Sequence, residues 1–129
     1  ERIDTTYTNM RRTRVDRRYY NYAVAGMRRA VEQGTCRGAD FPGVQVCGKT
    51  GTAQNRGHDH SAFMGFAPMN NPKIAVCVYV ENGGFGADFA VPIGSLIMEQ
   101  YVNGKLSASS EIKANTFQHR HISYGRQAR

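Results

Sequence analysis

The sequence predicts an α+β fold: an antiparallel sheet with helices packed on it. Three observations carry this. Apolar residues recur at helical spacing near both ends of the central region. Between those stretches lie three β-rich runs joined by short polar connections, and short connections join antiparallel neighbours. The last run, IAVCVYVE at residues 74–81, alternates without a break. Helices flanking a block of strands make an α+β arrangement.

The elements follow in order. Residues 1–15 are polar and Arg-rich, with an extended-looking stretch at Thr5, Thr6, Tyr7 and Thr8. From Asp16 to Gln33 the pattern is helical. Tyr20, Val24, Met27 and Val31 form one face, read as core packing, with Asp16 as N-cap and Gly34 as stop. Tyr19 and Tyr22 are likewise read as helix-face packing. Residues 35–43 read as loop, 44–53 as a strand ending in small residues, 54–60 as a turn and 61–67 as a strand. Residues 74–81 are apolar on both faces, which is the pattern of a strand buried on both. After the glycine turn at 82–86, Asp88 is expected to cap a helix to about Val102. Its apolar stripe is Phe89, Ile93, Leu96, Ile97 and Tyr101, with Pro92 in the first turn and Gly104 at the end. Beyond Ser107 the chain is polar and basic, with a frayed helix around Phe117.

The 129 residues fit one domain or part of one. They contain no run of about 18 apolar residues. No signal-peptide pattern follows Glu1, and the chain is expected to be a piece of something longer. The net charge of +7 sits at the ends: +5 over residues 1–29, −2 over 30–100 and +4 over 101–129. A nucleic-acid binder would gather its charge on one face of the core, so basic ends argue for solvated surface. Cys36, Cys47 and Cys77 form no CxxC pair, and they read as small buried hydrophobes. His58, Asp59 and His60 crowd one polar turn, where solvated side chains are expected. No metal and no cofactor is implied.

Gly43 to Thr50 (GVQVCGKT) matches the P-loop pattern letter for letter. That motif needs a strand before its first glycine and a helix from its lysine, so that phosphates meet bare backbone amides. Residues 35–42 do not read as a strand, residues 51–57 are poor helix formers, and VQVC alternates as a strand does. Read as a strand instead, this stretch carries Lys49, Thr50, Gly51 and Thr52 near its end.

Here the sequence resembles the penicillin-binding proteins and serine β-lactamases, which place a Lys-Thr-Gly on a strand lining the active site. CGKTGTAQN, then SAFMGFAPMNNPKIAVCVYVENGG, is similar to the elongation type of class B penicillin-binding protein. Gly26-Met27 and Gly34-Thr35 match as well. The resemblance covers residues 16–104, leaving 1–15 as an extended basic lead-in and 105–129 as a polar tail. It implies the C-terminal part of the serine β-lactamase and penicillin-binding transpeptidase fold. It also implies peptidoglycan D,D-transpeptidation during elongation, with stem peptides and β-lactams as ligands. Lys49 would supply positive charge beside a substrate carboxylate and an acylating serine. Thr50 and Thr52 hydroxyls would bond the carboxylate, Gly51 would let ligand approach the backbone, and the Thr52 N–H would form half of an oxyanion hole. Lys49 and Thr52 are the catalytic candidates; Thr50, Gly51 and Thr52 are the substrate-binding ones.

The family's Ser-x-Asn does not occur in the 129 residues, and Ser-x-x-Lys occurs only as Ser110 to Lys113, in the polar tail, where it reads as chance. The resemblance therefore implies the carboxylate and oxyanion side of a site whose nucleophile lies elsewhere, inactive in isolation. It implies a parent anchored in the inner membrane with this part on the periplasmic side and without direct membrane contact. In the family's sheet the third strand pairs with one not found here. Self-association through the edge from Ile74 to Glu81 is expected, or else cover by residues 2–15. The alternatives are a basic nucleic-acid-binding module and a P-loop nucleotide-binding protein using Gly43 to Thr50.

Overall fold

The computed structural model describes Thr6, Thr8 and residues 12–122. The expected lead-in over residues 1–15 and its possible fold-back therefore lie mostly outside the described residues. The element order is helix α1 (Arg17–Glu32), a 3-10 turn (Arg37–Ala39), strands β1 (Cys47–Ala53), β2 (His60–Ala67) and β3 (Ile74–Val80), then helices α2 (Ala90–Asn103) and α3 (Ala108–Gln118). Among the described residues the strands form one antiparallel sheet in the order β1-β2-β3. No described helix is long and apolar enough to cross a membrane.

Asp16 caps α1 by accepting from the Arg18 N–H at 3.0 Å. The expected apolar face of α1 is buried only at its C-terminal end. Val31 is buried and Val24 and Met27 are half-buried, while Tyr19, Tyr20 and Tyr22 are exposed. The core lies further along, where Val31, Cys36, Phe41, Val46, Phe63, Val91 and Met98 cluster.

The sheet packs on α2 through the ring of Phe63. A Cβ on Gly48 would lie 2.5 Å from that ring, one on Gly65 2.6 Å and one on Gly94 2.5 Å. Three glycines thus form the slot that holds it. This corrects the expected packing face of α2. Ala90, Val91, Gly94, Ser95 and Met98 face inward, because a ring already fills the space beneath them. Ile97 and Tyr101 of the expected stripe point outward, and with Ile74, Leu96 and Gln100 they line an open groove of about 630 Å³. The N-cap of α2 is Phe89, and Asp88 makes no capping bond. Gly104, at φ 72°, ends the helix as expected.

β3 also departs from expectation. Ile74, Val76, Val78 and Val80 are half-buried toward α2, but Ala75, Cys77 and Tyr79 are exposed. α2 packs against β2 and β3 from one side, and among the described residues the other face of this edge strand stays open. Cys77 is for that reason an exposed thiol, unlike the buried Cys36 and Cys47.

The tail beyond Ser107 is folded over most of its described length. α3 lies on α2 through Phe117, edge-on to Phe89 at 5.6 Å. Lys113 Nζ donates to the Gly38 carbonyl at 3.1 Å, and Arg120 donates to the Asp88 carbonyl at 2.6 Å. Glu99 of α2 is fully buried beneath α3. One of its oxygens accepts from the Ser107 N–H at 3.0 Å, and its Oε2 meets no partner in hydrogen-bonding geometry.

Candidate functional site

β1 pairs with β2 on one side only, so its other side is a free edge among the described residues. The pairs Lys49↔Met64 and Met64↔Cys77 form one row across the open face of the sheet. Thr50 pairs with buried Phe63 and Thr52 with buried Ser61, which puts both threonines on the α2 side. Lys49 and Thr52 are exposed, and Thr50 and Gly51 are half-buried.

The Lys49 ammonium donates to the Thr50 carbonyl at 2.8 Å, curling along the strand. Backbone groups alternate in direction along a strand, so Thr52 presents its N–H and C=O the same way as Thr50. The result is a cation beside a stretch of extended backbone at a sheet edge, an arrangement that suits an extended peptide with a negative charge.

Each candidate is held by neighbours. Ser61, behind Thr52, donates to the Phe85 carbonyl at 3.0 Å and accepts from the Ala90 N–H at 3.1 Å, tying β2 to the start of α2. The loop between β3 and α2 runs over the strand pair at Gly86, where a Cβ would come within 2.5 Å of the Ala62 oxygen and 2.8 Å of the Gly51 oxygen. Gly51 itself is under no such constraint. A Cβ there would meet only that of Ala62, at an ordinary 3.4 Å.

Two residues that sequence reasoning did not place at the site adjoin Thr50. Thr35 Oγ1 lies 2.8 Å from Thr50 Oγ1. Buried Cys36 sits beneath. Its burial pushes the thiol's pKa up, against hydrogen bonds to Thr35 and Thr50 and the charge of Lys49, which act the other way. Gly34-Thr35 stood out only as part of a sequence match, and fifteen residues of separation conceal the contact.

The other sequence candidates fall elsewhere. The P-loop reading of Gly43 to Thr50 fails, because a strand begins at Cys47 and continues through the lysine where that motif needs a helix. His60 is half-buried rather than solvated: its Nδ1 accepts from the Asn82 N–H at 2.9 Å, and its ring lies 5.4 Å from that of Tyr79. Ser110 is buried, 2% exposed, which corrects its expected place in a solvated tail. Lys113 lies half-buried and bonds Gly38, with Ser95 Oγ at 3.4 Å. Burial lowers the Lys113 pKa, against the attraction of Glu99 and Asp40. The pair ties α3 to α2 and the 3-10 turn.

The loop leading into β1 is fixed by Arg28. Its guanidinium donates to Glu32 at 2.9 Å, to Asp40 at 3.2 Å and to the Val46 carbonyl at 2.9 Å. Burial would lower the Arg28 pKa, but the two carboxylates outweigh it and raise it. The cation thus joins α1 to both ends of the segment before the strand.

Comparison with known proteins bears on this edge. The family model described as the penicillin binding protein transpeptidase domain matches residues 2–99. A peptidoglycan D,D-transpeptidase, MrdA of Haemophilus influenzae, is 36% identical over 78 residues, covering 48% of this chain and 12% of its own. PbpA of Mycobacterium tuberculosis, also a peptidoglycan D,D-transpeptidase, is 41% identical over 76 residues, covering 50% of this chain and 15% of its own. The chain therefore spans less than a sixth of either relative. Among solved structures, PBP2 of Pseudomonas aeruginosa in complex with WCK 5153 superposes with a TM-score of 0.62 at 39% identity, over 73% of this chain and 22% of that one. Penicillin-binding protein A of M. tuberculosis, as an imipenem acyl-enzyme complex, gives 0.57 at 35% identity, over 67% and 20%.

Proposed function

The chain belongs to the penicillin-binding protein transpeptidase family, and from that premise we propose that β1 is the carboxylate and oxyanion wall of a peptidoglycan D,D-transpeptidase. The observation that carries the reading is the Lys49 ammonium, held on the Thr50 carbonyl at the free edge of the sheet. Gly51 supports it. Gly48, Gly65 and Gly94 are explained by the Phe63 ring, but nothing in the packing requires a glycine at 51. Close approach of a ligand backbone does.

In this reading a stem peptide lies along β1 as an added strand. Its terminal carboxylate is met by Lys49 and by the Thr50 and Thr52 hydroxyls. A serine from a Ser-x-x-Lys outside these 129 residues attacks the penultimate carbonyl. The oxyanion is stabilised by the Thr52 N–H, a D-alanine leaves, and the acyl-enzyme is resolved by the amine of a second stem. β-Lactams acylate the same serine. The site works outside the cytoplasm, on the periplasmic side of the inner membrane, in wall elongation. Ser110 plays no part in acylation, because it is buried on the docked side of α3.

The test is acylation by a fluorescent penicillin. In the transpeptidase that holds these residues beside its nucleophile, Lys49→Ala slows acylation by about 10²-fold or more. Thr52→Ala slows it less, since the N–H remains. Both side chains are exposed, so neither variant shifts the melting temperature appreciably. Normal acylation in Lys49→Ala overturns the proposal. So does covalent labelling of the 129-residue chain at Ser110.

A further inference from the structure

We propose that Thr35 is a positioning residue, whose hydroxyl donates to Thr50 and leaves the Thr50 hydroxyl proton free for a bound carboxylate. The inference rests on the reading of β1 given above and adds a residue from a different segment. The two hydroxyl oxygens lie 2.8 Å apart. A hydroxyl has one proton and two lone pairs, so within such a pair only one member can donate. A Thr50 that gave its proton to Thr35 would face a carboxylate with lone pairs alone, which is repulsive. A Thr50 that accepts from Thr35 keeps its proton for the ligand.

The backbone aims Thr35 at this task. The Gly34 and Cys36 N–H groups both donate to the Ala30 carbonyl, at 3.1 and 3.0 Å, so Thr35 is held between two fixed amides at the end of α1. Gly34 has no room for a side chain, since a Cβ would lie 2.9 Å from the Ala30 Cα. Thr50 is confined as well: Gly86 packs over it so closely that a Cβ there would lie 3.0 Å from Thr50 Cβ. Two β-branched side chains, each with restricted χ1, thus meet at a defined angle. The geometry fixes where the two hydroxyls meet, and the charge of the bound carboxylate selects which of them donates.

The experiment compares Thr35→Val, which keeps the shape and removes the hydroxyl, with Thr35→Ser, which keeps the hydroxyl. Both are made in the transpeptidase holding the nucleophile. Acylation rates are measured for a penicillin with its free carboxylate and for the methyl ester of the same compound. Thr35→Val is expected to lower the rate with the acid by about tenfold, the scale of one hydrogen bond to a charged group, and to leave the ester within about twofold. Thr35→Ser restores the preference for the acid. Equal losses with both ligands would make Thr35 a structural residue and overturn the proposal, as would no loss at all. Thr50→Val serves as reference. If Thr50→Val and Lys49→Ala leave the preference for the acid intact, the wall reading itself fails. If they abolish it while Thr35→Val does not, only the role of Thr35 falls.

Discussion

The ring of Phe63 lies against the backbone of Gly94, where a methyl group would approach Cδ1 to 2.5 Å. Gly48 and Gly65 close the same ring from within the sheet. The side chain at 63 therefore sets the distance between sheet and α2. Gly94→Ala is expected to destabilise the fold by about 1–3 kcal/mol through overpacking. Phe63→Leu alone is also destabilising, through lost burial. Urea unfolding of the double variant should show much less than the sum of the single costs, because a smaller residue at 63 makes room for the methyl. Strict additivity would mean that the slot is not what limits the packing.

Arg28 binds two carboxylates and a carbonyl from three places in the chain, and its side chain is 16% exposed. Arg28→Met keeps much of the stem's packing and removes all three bonds. A loss of about 1–3 kcal/mol is expected. Arg28→Lys should recover only part of it, since a point charge cannot serve three acceptors in one plane. Full recovery by lysine in chemical denaturation would show that charge alone matters here.

Glu99 gives the fold a pH dependence. Its burial pushes the carboxyl up, but the Ser110 and Ser107 hydroxyls, the Ser107 N–H and the charge of Lys113 prevail and hold it below its ordinary value of 4.5. A carboxyl whose folded pKa is depressed adds stability that is complete above the unfolded value and is lost as pH falls through the folded one. Stability should therefore decline on acidification from about pH 4.5 downward. Glu99→Gln should flatten that part of the curve. Thermal melts of both proteins from pH 7 to pH 3 compare the slopes, and parallel slopes would remove Glu99 as their source.

Among the described residues, β3 has an unpaired outer edge, with no proline and no charge from Ile74 to Val80. Beside it lies the apolar groove at Ile74, Leu96, Ile97 and Tyr101. The 129-residue chain is expected to self-associate, two β3 strands pairing across a two-fold axis. Light scattering should show species larger than a monomer at micromolar concentration, and Val78→Lys should weaken them only by unfolding the chain. Tyr79→Lys, on the open face, should weaken them with the fold intact. A clean monomer with fast amide exchange over residues 74–80 would sink the idea.

Three strands and the candidate edge were legible in the sequence because each rests on local pattern: alternation, turn residues and one run of signature letters. The facing of α2 was not. Its large apolar residues suggest one stripe, but the inward side is chosen by a phenylalanine some thirty residues earlier, which admits only small neighbours. Periodicity reports that a helix has a face, and partners decide which face is covered. The open side of β3 was hidden for a related reason: apolar letters on both faces record what a strand tolerates, whatever covers it. The Thr35–Thr50 contact leaves no local trace, since it depends on the angle at which α1 ends. Ser110, read as part of a solvated tail, is buried by a helix whose polar composition gave little sign of docking.

The bond from Lys113 to Gly38 spans 75 positions, and that from Arg120 to Asp88 spans 32. The strands, by contrast, meet across turns of a few residues. Contacts between distant positions require long loops to close, so they form slowly and reward nothing until both partners are in place. The surface that α3 grips exists only once the sheet and α2 have come together. α3 is therefore expected to dock last and to detach first. The contacts of Lys113 and of Arg120, just beyond α3, reach the 3-10 turn before β1 and the loop after β3, so the helix's departure would remove one tie from each end of the strand meander at one moment.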